Sequence, residues 1–214
     1  MTEHAHSSRR SIRLRRYDYS RSGSYFFTIC VAGHKSILGR VVDFKMQCNR
    51  AGDAAWSVWR ELPLRFPAVQ LDAFVVMPNH IHGILFLCSL DPPSGRASPA
   101  PTKTTASAVR RGDPWVARRD SPSRALHYCD ANAASNAVAF RAPSLGEIIG
   151  AFKSLTAAAV NRILRRTAPV WQRNYYEHIV RSAKDLDAVR LYIAQNPMQW
   201  LNDRENPEAR PRRS

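Results

Sequence analysis

Leu71-Asp-Ala-Phe-Val-Val-Met77, the pair Pro78-Asn79 and His80-Ile-His-Gly-Ile-Leu-Phe-Leu87 decide the fold. Two apolar runs rich in β-branched and aromatic residues, joined by a two-residue turn, read as strands connected too tightly to be anything but antiparallel neighbours. Side chains alternate between faces along a strand, so His80 and His82 point one way while Ile81 points the other. Two imidazoles are thereby aligned as a metal-ligand pair. Two surface histidines beside a turn would give the same pattern; the buried strand that this pair opens favours the ligand reading.

Upstream, Tyr25-Phe-Phe-Thr-Ile-Cys-Val31 reads as another strand, and Val41–Gln47 alternates weakly, as a short strand after a turn at Gly39 would. From Asn49 the spacing of Ala55, Val58, Trp59 and Leu62 is that of an amphipathic helix, with Pro63 expected to stop it. Downstream, residues 89–142 change composition to Pro, Ser, Ala and Arg, and are expected to form a flexible insertion. Order resumes at Ser144-Leu-Gly-Glu147, a capping-box pattern that opens a second helix. Val170–Arg181 reads as a strand with aromatic edges. Ser182 with Asp185 caps a last helix whose apolar stripe is Leu186, Val189 and Ile193, and Asn196-Pro197 ends it.

Strand, helix, strand, strand, helix, strand and a final helix is the order of a ferredoxin-like α+β fold, an antiparallel sheet with helices packed on one face and an extra C-terminal helix. The expected organisation is a basic arm over residues 1–24, one domain assembled from residues 25–88 and 143–201, the insertion at 89–142, and a charged tail, 202–214, that frays.

The 214 residues carry 32 Lys and Arg against 17 Asp and Glu, a net charge of +15, which points to a polyanionic partner. No apolar run approaches the ~18 residues a membrane span needs, and the arginine-rich start contains no secretory core, so a cytoplasmic protein without a membrane partner is expected. Cys30, Cys48, Cys88 and Cys129 lie far apart, against both a disulfide scaffold and a thiolate zinc site. Buried, reduced thiols are expected.

A second constellation lies on the last helix, where Tyr192 and Asn196 are spaced i, i+4 on a face about 60° from the apolar stripe. Taken alone, a core-capping tyrosine and a C-cap asparagine are the favoured reading of the pair.

Three ordered segments, Phe74-Val-Val-Met-Pro-Asn-His-Ile-His-Gly-Ile-Leu85, Val170-Trp-Gln-Arg-Asn-Tyr-Tyr-Glu-His-Ile-Val-Arg181 and Leu191-Tyr-Ile-Ala-Gln-Asn-Pro197, closely resemble the REP-associated tyrosine transposases. These belong to the single-tyrosine HUH transposases, HUH meaning His-hydrophobic-His. The resemblance runs from about Arg9 to Trp200 and skips the insertion. It implies that His80 and His82 bind a divalent cation, Mg²⁺ or Mn²⁺, that Asn196 supplies a third ligand where related transposases often use Gln, and that Tyr192 is the nucleophile. It further implies single-stranded DNA and DNA hairpins as partners, a nucleoid-associated enzyme, and a monomer or a dimer. DNA contacts would come from Arg9, Arg10, Arg13, Arg15, Arg16, Tyr17 and Tyr19, since cations track phosphates and rings stack on bases. Arg173 and His178 would add to them, His178 through a phosphate contact or, equally, a buried hydrogen bond.

Tyr175 and Tyr176 are rival nucleophiles, ranked below Tyr192 because neither has an amide four residues on along a helix. A ferredoxin-like RNA-binding protein would account for charge and fold but leaves His80, His82 and Tyr192 without a task. A replication-type HUH relaxase would use the same metal and tyrosine, and only its DNA context would set it apart.

Overall fold

The computed structural model describes residues 17–88, 142–203, 205–207 and 209. Arg9, Arg10, Arg13, Arg15, Arg16 and the insertion, apart from Ala142, lie outside the described residues.

Aromatic and β-branched residues carry the chain into β1, Gly23–Cys30. The weakly alternating stretch that follows is two strands rather than one. β2 (Gly39–Val42) and β3 (Lys45–Cys48) form a small separate hairpin. Asp43 and Phe44 both take positive φ, 49° and 61°, as the tight turn between right-twisted strands requires. The pattern was blurred because most residues of both strands are partly exposed.

Helix α1, Arg50–Arg65, starts where the Asn49 side chain accepts the backbone N–H of Ala51 and Gly52 at 2.9 and 3.2 Å. It runs past Pro63 instead of stopping there. In the last turn a proline removes one intrahelical donor and its fixed φ already suits a helix, and the next turn still closes through Phe66 N–H to the Leu62 carbonyl at 2.9 Å. Strands β4 (Val69–Val76) and β5 (His80–Leu87) form the expected hairpin. Helix α2, Leu145–Ile163, opens with the reciprocal Ser144–Glu147 capping box.

Strand β6 is shorter than the sequence suggested, Tyr176–Val180. Val170–Gln172 does follow the edge of β1, with Ala32 N–H bonded to the Val170 carbonyl and Gln172 N–H to that of Cys30, both at 2.9 Å. Lys153 on α2 then claims the carbonyls of Gln172 and Arg173 at 2.7 and 2.8 Å, and pairing with β1 resumes only at Tyr176. Ser182 caps α3, Ala183–Gln195, which passes into a 3-10 turn over Asn196–Asn202. The fraying expected of the tail does not reach its first residues: Asn206 is buried, its amide donating to the Trp200 carbonyl at 2.9 Å.

The sheet order is β4-β5-β1-β6 with every pair antiparallel, the ferredoxin-like arrangement. α1 and α2 cover one face, where Phe27, Ile81 and Leu85 meet Trp59, Ile148 and Phe152. α3 covers the other, where Phe26, Ile84, Phe86 and Val180 meet Leu186 and Ile193. β5 is therefore buried along its whole length, and its even-numbered residues, His80 and His82 among them, face α3. Cys30, Cys48 and Cys88 are reduced thiols, each partly rather than fully buried. No described helix is long and apolar enough to cross a membrane.

Gly83 shows how tightly the α1 face is filled. A Cβ there would stand 2.6 Å from Phe27 Cζ and 3.1 Å from Phe74 Cδ2, both rings being packed on Trp59. Gly83→Ala is expected to cost about 1–3 kcal/mol through overpacking, read as a lowered denaturation midpoint with an unchanged slope.

Candidate active site

The Pro78-Asn79 turn is held by its own carbonyls: Pro78 accepts the Leu38 N–H at 3.0 Å and Asn79 that of Val31 at 2.8 Å. The fully buried Asn79 side chain donates through Nδ2 to the carbonyls of His34 (3.1 Å) and Glu205 (2.5 Å). That fixes its Oδ1 as an acceptor, which lies 2.9 Å from His80 Nδ1. His80 Nδ1 must therefore carry the proton, and in the neutral ring Nε2 is a lone pair.

His82, one register step along β5, has Nδ1 2.8 Å from Thr28 Oγ1 on β1. With that nitrogen donating, Nε2 accepts the Tyr192 hydroxyl at 3.3 Å. Phe26 stacks on His82 with centroids 5.6 Å apart and meets the Tyr192 ring edge-on at 6.1 Å. Tyr192 comes from α3, which is tied down at its first turn by His178 Nε2 to Asp185 Oδ2 (2.9 Å) and along its side by Arg190 Nε to Asp72 Oδ2 (2.7 Å). Asn196, at the C-cap of the same helix, is 2% exposed, and its amide lies close enough to weigh on the titration of both His80 and Tyr192.

Four residues read from the sequence, His80, His82, Tyr192 and Asn196, thus meet in one place. Burial, with His80 beside it, holds His82 well below the ordinary imidazole range. Burial also lowers His80, against the opposing pull of Asp203, Glu205 and Asn196. Both rings are kept neutral, as ligation requires. The Tyr192 phenol is pushed up by burial and then by the negative charge of Asp203, with Asn196 acting in the other direction.

Among the described residues His80 Nε2 and Asn196 Oδ1, both buried, have no hydrogen-bond partner. Such atoms are costly unless something else satisfies them, and two imidazole nitrogens with an amide oxygen suit a divalent cation that keeps several waters. Among the described residues no three His, Cys, Asp or Glu side chains stand close enough together to hold a cation as they are placed, so in this arrangement the set depends on the asparagine amide.

The other expected contacts fall elsewhere. Tyr17 and Tyr19 pack edge to face at 4.9 Å against the core, with Tyr17 Oη 3.3 Å from Tyr25 Oη. Arg173 is exposed, and His178 is a partly exposed partner of Asp185. Tyr175 packs on the α1–α2 face; Tyr176 is exposed, its ring edge-on to Phe26 at 6.2 Å. Sequence reasoning missed Asn79 and Thr28, whose roles in orienting the histidines depend on register, and Asp203, hidden in a segment whose composition reads as a tail.

No family model matches the chain. Among solved structures, a REP-associated tyrosine transposase bound to a REP hairpin aligns over 87% of this chain and 73% of its own, at 15% identity and a TM-score of 0.46. A Deinococcus radiodurans R1 protein provisionally described as a transposase aligns over 86% and 96%, at 12% identity and a TM-score of 0.39. In sequence, a Haemophilus influenzae (Rd) protein described as uncharacterized is 33% identical over 205 residues, 91% of each chain. The chain belongs to one family with that Haemophilus influenzae protein.

Proposed function

We propose that the chain is a metal-dependent single-strand DNA transposase and endonuclease that cleaves and rejoins DNA beside REP-like hairpins through a 5′-phosphotyrosine on Tyr192. The observation that carries this reading is the Tyr192 hydroxyl set 3.3 Å from His82 Nε2, beside the His80 and Asn196 atoms that have no partner among the described residues. The resemblance of the three sequence segments to tyrosine transposases supports it independently.

His80, His82 and Asn196 would hold the cation, Mg²⁺ or Mn²⁺, which when bound supplies Lewis-acid polarisation of the scissile phosphate. Asn79 serves by fixing the His80 ring with Nε2 as the free lone pair, and Thr28 by holding the His82 ring at Nδ1 so that Nε2 faces Tyr192. His82 Nε2 has one lone pair, which here faces the Tyr192 hydroxyl at 3.3 Å and would be taken by the cation instead, leaving the hydroxyl free to face phosphorus. Tyr192 Oη then bonds to phosphorus and the bond from phosphorus to the 3′ oxygen breaks. The phenolic proton passes to solvent, and the leaving oxygen takes a proton to become a 3′-hydroxyl. No water is consumed, so the phosphotyrosine keeps the energy of the phosphodiester and a 3′-hydroxyl can attack it to rejoin DNA.

The test is a labelled DNA hairpin with single-stranded flanks, incubated with protein and Mn²⁺ and run on a denaturing gel. A protein-sized covalent adduct that disappears with chelator is expected; binding without an adduct under any divalent cation would leave a nucleic-acid-binding protein that does no chemistry. Binding itself should be steeply salt-dependent: neutralising about six single-strand phosphates gives a log–log slope of roughly −4. A slope near zero would mean that the +15 charge serves something other than DNA.

A further inference from the structure

The last described stretch of chain returns to the histidine pair. Asp203 Oδ1 accepts the Glu205 backbone N–H at 2.7 Å, and its other oxygen, Oδ2, lies 3.7 Å from His80 Nε2. The stretch is pinned there by the Asn206 amide on the Trp200 carbonyl, by Asn79 on the Glu205 carbonyl, and by the Glu205 carboxylate 2.7 Å from His34 Nδ1. The Asp203 side chain is 10% exposed.

A separation of 3.7 Å is too long for a hydrogen bond, and Asn79 has already claimed the proton of the neutral His80 ring. His80 Nε2, Asn196 Oδ1 and a carboxylate oxygen therefore gather as acceptors in one buried corner, the first two of them without partners. At 3.7 Å from His80 Nε2, Asp203 Oδ2 needs only a small shift of its side chain to share one cation with that nitrogen. Resting on the metal reading above, we infer that Asp203 is a further ligand of the same cation, so that the site comprises His80, His82, Asn196 and Asp203 and carries a formal negative charge. A carboxylate and an amide oxygen beside two imidazoles shift the donor set toward oxygen, which suits Mg²⁺ and Mn²⁺. The C-terminal segment then belongs to the active centre rather than to the tail.

The experiment titrates Mn²⁺ into the full chain and follows the electron paramagnetic resonance signal of free Mn²⁺, with no DNA present. Asp203→Asn, nearly isosteric but uncharged, is expected to weaken Mn²⁺ binding at least about tenfold. Glu205→Gln, in the same stretch but turned to His34, is expected to leave it unchanged. Asp203→Cys is expected to bind Cd²⁺ with a thiolate charge-transfer band in the ultraviolet beyond the wild-type background, which a residue that only anchors the tail would not produce. Equal Mn²⁺ affinity in wild type and Asp203→Asn, or no added Cd²⁺ band in Asp203→Cys, overturns the inference and leaves the three-residue site standing. A wild-type chain that binds no Mn²⁺ overturns both.

Discussion

Tyr192→Phe is expected to abolish the covalent protein–DNA adduct, a loss on the order of 10⁴-fold or more in cleavage, because it removes the one atom that would bond to phosphorus. Hairpin affinity should hardly change. The phenyl ring keeps its edge-on contact with Phe26 at a half-exposed position, and the hydroxyl gives up only its 3.3 Å hydrogen bond to His82. That bond contributes about 0.5–1.5 kcal/mol to the fold, too little to unfold a domain with a core on both faces of its sheet. Tyr176→Phe is the matched control. Its ring also touches Phe26, but no hydrogen bond ties it to either histidine among the described residues, so its adduct yield should stay at the wild-type level. An adduct that survives Tyr192→Phe and vanishes with Tyr176→Phe would move the nucleophile to β6.

The parts of this site legible in the sequence are those set by local periodicity. Two-residue alternation put His80 and His82 on one face, and the i, i+4 spacing put Tyr192 and Asn196 on one side of α3. Both follow from backbone geometry without tertiary knowledge. The strand order followed too, since short connections leave few topologies open. What stayed hidden depends on partners distant in the chain. Pro63 looked like a helix stop because a proline's cost depends on which turn it occupies, and Val170–Tyr175 looked like a continuous strand because nothing local announces that Lys153 will claim its carbonyls. Asn79 reads as an ordinary turn asparagine until its Nδ2 finds carbonyls from residues 45 positions before and 126 after. Asp203 lies in a run of charged residues, and charge there signals solvent unless a buried imidazole waits opposite.

Replacing both His80 and His82 by Ala should also remove the adduct, and excess Mg²⁺ or Mn²⁺ should not restore it, because both imidazole lone pairs that would hold the cation are gone. The single variants should separate chemistry from stability. In His80→Ala the Asn79 Oδ1 loses its donor inside a fully buried turn, and an unsatisfied buried acceptor costs about 1–3 kcal/mol, with a cavity term to add. In His82→Ala the partners left behind are Thr28 Oγ1 and the Tyr192 hydroxyl, both on partly exposed residues that can turn to water, so the loss should be smaller. His80→Ala is therefore expected to melt below His82→Ala while both fail to form the adduct, with melting followed by circular dichroism in chelator so that bound metal cannot bias the comparison. If His82→Ala kept wild-type adduct formation with its fold intact, the pair would be a structural feature of the turn and the metal-and-tyrosine reading would fall.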